Sequence, residues 1–372
     1  MTTHKRTFDR PFFIAALILV VGGFFIFISA SLGLLAQERV TFSDVVLKQF
    51  LFGLVGGTGA MFIVSHIHYR NWRAYAFYVF CASIILTLLV FIPQISFEHG
   101  GARRWLSLGP FTLQPSEVLK IGFVIYFAAW LSGVRKRVHT YLYGLLPFLV
   151  LLVITGAIVL GQRDTDTFAM IVFAGLAMYM VAGARWRHIG IVIAAGLSGA
   201  VVLALSRPYI MGRILTFLDP TQDPLGASYQ IRQSLIAIGS GGFSGRGFGQ
   251  SIQKFGFLPE PIGDSIFAVA AEEFGFIGSF AIIALFIFFA YRGLYIAARA
   301  PDFFSRLLVV GIVILIVVQS FMNIAAMLGM IPLSGMPLLF ISHGGTALII
   351  TLVEVGIILN VSKYMTSKPS NF

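Results

Sequence analysis

FFIAALILVVGGFFIFISASLGLL, residues 12–35, carries no charged side chain. A helix of that length crosses the roughly 30 Å hydrocarbon core of a bilayer. A basic start, Lys5, Arg6 and Arg10, precedes it. The run is longer than a signal-peptide core and no small-residue cleavage site follows it, so we expect a retained first helix. Working outward from it, about ten apolar runs reach the roughly 17–25 residues a span needs. They fall near 12–35, 46–65, 74–93, 116–132, 141–160, 167–183, 188–206, 265–291, 305–328 and 338–361. The fold class expected is all-α: a polytopic membrane protein in one domain over residues 1–372.

Composition agrees. The chain is 58% hydrophobic and only 11% charged, with mean hydropathy +0.91, too little polar surface for a soluble domain of 372 residues. Its net charge of +11 would suggest nucleic acid on a soluble protein. Here the cations follow topology instead. With the N-terminus inside, one face collects Arg70, Arg73, Arg135, Lys136, Arg137, Arg185, Arg187, Arg292, Arg299, Arg306, Lys363 and Lys368. The short loops of the other face hold far fewer, so both termini are expected in the cytoplasm, with the basic face against anionic membrane lipid. No nucleic acid partner is expected. The lone Cys81 excludes an intrachain disulfide.

The long polar interval, residues 207–264, is then an extracytoplasmic loop. It is rich in glycine, from Gly239 to Gly249, and ends at Asp264 before Ile266-Phe267-Ala268. No Gly-Lys-Ser/Thr follows the glycines, so it is not a nucleotide loop. A carboxylate half out of water has a raised pKa and can take a proton from a hydroxyl; capping of the next helix is the plainer role for Asp264. Glu272 and Glu273 lie further in, where a carboxylate needs a partner. Arg246 and Lys254 are placed to meet phosphate.

Three other clusters stand out. Gly100 to Trp105 (GGARRW) is followed by Gln114 to Lys120 (QPSEVLK), with Glu117 and Lys120 three apart on one helical face. They form either a structural ion pair or a lining for an anionic substrate. Arg103 and Arg104 are either interface charges or phosphate ligands. In Gln162-Arg163-Asp164-Thr165-Asp166-Thr167, the carboxylates read best as helix N-caps. Asn323 and the segment Gly329 to Gly345 combine a polar side chain with Pro and Gly breaks, which expose backbone groups and often surround a site.

Together these motifs resemble the SEDS family (shape, elongation, division and sporulation), whose members include FtsW, RodA and SpoVE. GARRW with QPSEVLK, YQIRQSLIAIGSGGFSGRGFGQSIQKFGFLPEPIGDSIFAVAAEEFGFIG and MIPLSGMPLLFISHGG carry the likeness, from about Gly100 onward. QKF…LPE leans toward the division branch, FtsW.

The resemblance implies a peptidoglycan glycosyltransferase of the bacterial cytoplasmic membrane, polymerising lipid II into the nascent glycan strand on the outer face for septal wall synthesis. Flipping of lipid II, or elongation-specific polymerisation, is the alternative. It further implies Asp264 as catalytic base, and substrate contacts among Arg103, Arg104, Glu117, Lys120, Arg213, Gln230, Lys254 and Ser342. A divalent cation, Mg or Mn, is the cofactor it suggests, with Asp264 and Glu272 as the carboxylates available to it; no nucleotide cofactor is needed. The partners it implies are a class B penicillin-binding protein and other divisome proteins. The chain departs from the family pattern at Gln162 to Thr167, where QPDLGT is common, at Leu339 to Gly345, where PFISYGG is common, and at Ser265, where Phe is frequent.

Overall fold

The computed structural model describes residues 7–36, 42–99, 102–108, 111–219, 226 and 228–366. In chain order the elements are α1 (Arg10–Leu35), α2 (Phe42–His66) and α3 (Ala76–Phe91). Then come strands β1 (Ser96–His99), β2 (Ala102–Leu108) and β3 (Phe111–Leu113). After them follow α4 (Pro115–Gly133), α5 (Tyr141–Gly161), α6 (Thr165–Val181) and α7 (Trp186–Ser206). Two shorter helices, α8 (Pro208–Leu218) and α9 (Tyr229–Ser240), precede α10 (Ile266–Ala298), α11 (Phe303–Met327) and α12 (Gly345–Ser362). Among the described residues, eight helices are long and apolar enough to cross a membrane; α3 and α6 are apolar but shorter. The chain is a multi-pass membrane protein.

Three features differ from the sequence expectation. The segment bearing Arg103 and Arg104 is an antiparallel three-stranded sheet, β1-β2-β3, in an otherwise helical chain. The interval 207–264 contains two helices, α8 and α9, where a loop was expected. The last helix begins at Gly345, because 338–344 runs as non-helical backbone.

Packing is organised around α11. It is apolar on nearly every side and accordingly buried, against α10, α6 and α4. Its start is fixed by a capping box between Asp302 and Ser305. By contrast α7 touches little beyond α6 and α8, and Leu197, Val201, Val202 and Leu205 stand exposed on it. With hydrocarbon as solvent those side chains cost nothing, since lipid is as apolar as a protein core.

The helix α10 is broken at Gly275, whose φ of 65° and ψ of −160° no other residue adopts readily. Residues 266–273 are fully buried, whereas Phe276, Ile277 and Phe280 beyond the break are exposed to lipid. The break frees carbonyl groups, and the glycine-rich segment satisfies them: Arg246 N–H donates to Glu272 C=O and Gly247 N–H to Glu273 C=O. A Cβ on Gly275 would lie 2.3 Å from Gly245 N. Gly275→Ala is therefore expected to lower stability by about 1–3 kcal/mol from backbone strain. Thermal unfolding of the purified protein measures it, and an unchanged midpoint would contradict this packing.

Candidate active site

Asp264 closes the turn that leads into α10. Three successive carbonyls of this turn are held. His343 N–H donates to Ile262 C=O at 2.6 Å. Ser342 Oγ donates to Gly263 C=O at 2.8 Å. Asn323 Nδ2 donates to the backbone C=O of Asp264 itself at 2.7 Å and to Met336 C=O at 2.7 Å. Gln230 Nε2, from α9, donates to Ser265 Oγ at 3.0 Å. The turn's backbone is pinned by Ser342, His343 and Asn323, while among the described residues no group hydrogen-bonds or ion-pairs with the Asp264 carboxylate.

The carboxylate keeps some accessible surface although protein packs around it on most sides. Burial pushes its pKa up to about 7, the negative charges of Glu260 and Asp166 add to the rise, and Arg213 and Arg104 oppose it. A Cβ added at Gly335 would sit 3.6 Å from Asp264 Oδ2 and 3.9 Å from Arg213 Nη2. The glycine thus leaves open the gap between carboxylate and guanidinium.

The cations arrive on separate elements. Arg213 projects from α8 and its Nη1 lies 3.3 Å from Asp166 Oδ2 in the first turn of α6. Arg104 owes its direction to a bulge. Phe97 pairs with Trp105 and Glu98 with Arg103, which leaves Arg104 as the extra residue of β2. Its guanidinium reaches Asp164, 3.8 Å away, and the carbonyl of Arg163. Asp164 caps α6 through Thr167 N–H, as its position suggests. Two departures from the family pattern have structural counterparts. Arg163 adopts φ 61°, which a proline ring forbids, and Asp166 supplies the partner for Arg213.

Glu117 and Lys120 do pair, at 2.9 Å, and both are buried. Lys120 Nζ also donates to Gln319 Oε1 at 2.6 Å. Gln319 and Asn323 are four residues apart on α11, so the ion pair connects to the Asp264 turn through one helix face. Lys120 is one layer from the carboxylate, not beside it. Arg103 is exposed on β2, whereas Arg104 is half-buried.

Two expected site residues are elsewhere. Lys254 is fully buried, 2.7 Å from Glu273, and its Nζ also donates to Ser29 Oγ and Gly249 C=O, so its donors are used within the protein. Glu272 accepts from Ser251 Oγ at 2.5 Å and from the backbone N–H groups of Ile252 and Gln253, and it ties the glycine-rich segment to α10. Glu272 and Asp264 share no helix face, because Asp264 precedes the helix. Among the described residues no group of three or more His, Cys, Asp or Glu side chains could hold a metal. With Glu272 committed to its donors, the residues do not fit a dedicated divalent-cation site.

Gln319 was not singled out from sequence, and Glu260 and Gly335 stood there only as members of longer segments. The signal for Gln319 was present: Gln319, Ser320 and Asn323 interrupt an apolar run where each polar group needs a partner. A larger cavity, about 440 Å³ and lined by Phe80, Tyr126 and Val150 among others, lies between α3, α4 and α5. It is apolar and lacks the charges of the Asp264 region.

A family model described as cell cycle protein, covering FtsW, RodA and SpoVE, matches residues 9–367. The chain belongs to this family. Stage V sporulation protein E of Bacillus subtilis (strain 168) is 39% identical over 98% of this chain and 99% of its own. The probable peptidoglycan glycosyltransferase FtsW of Geobacter metallireducens is 38% identical over 97% of this chain and 96% of its own. Among solved structures, a chain from work on structural coordination of polymerization and crosslinking by a peptidoglycan synthase complex superposes with TM-score 0.80. It is 27% identical and covers 97% of this chain and 99% of that one. The rod shape determining protein RodA of Thermus thermophilus gives TM-score 0.70 at 25% identity, over 97% and 98%. Each family likeness spans the whole helical bundle, so the site described above sits on a shared scaffold.

Proposed function

We propose that this FtsW/RodA/SpoVE-family protein is a peptidoglycan glycosyltransferase that polymerises lipid II on the outer face of the cytoplasmic membrane, with both termini in the cytoplasm. The observation that carries this is the Asp264 carboxyl: backbone clamped, side chain unengaged, pKa near neutrality, facing Arg213 across an open gap. Such a group suits general-base catalysis near neutral pH. Asp264 takes the proton from the acceptor sugar 4-hydroxyl. The oxygen attacks the anomeric carbon of the donor glycan, the bond from that carbon to the diphosphate oxygen breaks, and undecaprenyl diphosphate leaves with its electron pair. Arg213 and Arg104 meet the charge on the leaving group.

Gln230, Ser342 and Asn323 act by holding the turn, and Glu117 with Lys120 act at one remove through Gln319. Arg103, exposed on β2, is assigned no role in the transfer step. A Mg or Mn ion enters this reading only as a companion of the diphosphate, and no step is assigned to it. The relatives named FtsW and the match to a synthase complex support septal wall synthesis beside a crosslinking enzyme, a class B penicillin-binding protein.

The test is direct. Purified protein given lipid II should form glycan polymer; lipid II transport across liposomes without polymer would overturn the reading. A pH profile adds a second check. Only ionised Asp264 accepts a proton, so kcat/KM should rise with pH through about 7 and level off above. Glu260→Gln removes a negative charge that raises this pKa, so the acid limb should move to lower pH. A limb that stays in place, or moves upward, would separate Asp264 from the rate.

A further inference from the structure

The helix α8 stands off from the bundle along its inward face, which is only half-buried. Tyr209, Gly212, Arg213, Thr216 and Phe217 fall at the i, i+3, i+4, i+7 and i+8 positions that a surface helix normally buries. Here all five line a cavity of about 280 Å³, closed on its other side by Ile231 of α9 and by Leu333. No α8 residue is fully buried. The described polar contacts that tether α8 are Arg213 to Asp166 at 3.3 Å and the Tyr209 hydroxyl donating to Arg163 C=O at 3.3 Å. An amphipathic helix that stands off from its own protein leaves an apolar void, and apolar voids of this size take apolar ligands.

The void has one charged end. Arg213 lines it and also reaches the gap over Gly335, where Asp264 Oδ2 lies within 4 Å of the same point. A ligand with an anionic head at Arg213 and a hydrocarbon tail directly attached would fill both. We propose that the cavity under α8 seats the first isoprenoid units of a prenyl diphosphate, with Arg213 exchanging Asp166 for phosphate as the tail enters. This rests on the glycosyltransferase reading, in which such a diphosphate is the leaving group, and it adds the place where the lipid side of that group is held. The cavity's charged end selects this occupant over a plain acyl chain, which would bring no anionic group to Arg213, and over free phosphate, which would leave the apolar lining empty.

The experiment compares farnesyl diphosphate with inorganic pyrophosphate as ligands of the full-length protein in nanodiscs, with lipid II polymerisation assayed in parallel. A Cβ on Gly212 meets nothing within 4 Å, so Gly212→Leu fills the void without displacing backbone. Gly212→Leu should weaken farnesyl diphosphate by about tenfold and leave pyrophosphate within about twofold. Thr216→Trp fills the same space from the next turn and should do likewise. Arg213→Gln should weaken both ligands. Equal losses of both ligands in Gly212→Leu and Thr216→Trp, unchanged farnesyl diphosphate binding in both, or wild type that prefers pyrophosphate would overturn the proposal. Polymer from wild type together with any of those results removes the lipid seat and keeps the transferase. Selective farnesyl diphosphate binding without polymer does the reverse.

Discussion

Asp264→Asn is expected to abolish measurable polymerisation, a loss of about 10²–10⁴-fold in kcat. The substitution keeps the side chain's shape and removes its ability to take a proton. Because the Asp264 carboxylate makes no described hydrogen bond or ion pair, the fold loses little. The turn is held through its backbone by Ser342, His343 and Asn323, and those bonds survive. The thermal midpoint should therefore stay close to wild type while activity disappears. Asp264→Glu keeps the proton acceptor but extends it toward Gly335, whose Cβ position is only 3.6 Å from Oδ2, and a partial activity is expected. Polymer formation by the asparagine variant at more than about a tenth of the wild-type rate would remove Asp264 as the base.

The second large effect concerns stability. Lys254 and Glu273 are both fully buried, 2.7 Å apart, and Ser29 of α1 hydrogen-bonds to both. Three segments meet at that pair: α1, the glycine-rich segment and the first half of α10. Removing one partner strands a charge away from water, at a cost of about 3–5 kcal/mol. Lys254→Met and Glu273→Gln should each lower the unfolding midpoint sharply and reduce the yield of folded protein. The double variant Lys254→Met/Glu273→Leu should recover most of the loss, since an apolar pair of similar volume leaves no charge uncompensated. If Lys254→Met instead unfolds like wild type and loses pyrophosphate binding, Lys254 is a phosphate ligand after all. Asp264 is thus expected to govern rate with little effect on folding, and Glu273 to govern folding.

Much of the scaffold was legible because a bilayer imposes a simple rule. Uninterrupted apolar runs must be helices, and their positions agree with the observed helices to within a few residues over most of the chain. The Asp164 cap was legible too, since capping needs only local spacing. The sheet at Ser96–Leu113 was not: Arg103-Arg104-Trp105 has no clear alternation, and the bulge that turns Arg104 inward exists only once β1 pairs with β2. Lys254 looked like a phosphate ligand because sequence shows a cation in a polar loop and hides the carboxylate, nineteen residues on, that neutralises it.

From sequence alone come the membrane class, the family motifs and the carboxylate proposed here as the base, because hydropathy, motif spacing and side-chain type are written residue by residue. Which charges face Asp264 and which are locked against one another was decided by tertiary packing. Gly275 breaks α10 and folds the loop into the bundle, where each polar group must find its partner nearby or remain exposed in the site. That sorting depends on distances between residues far apart in the chain, and no local pattern encodes them.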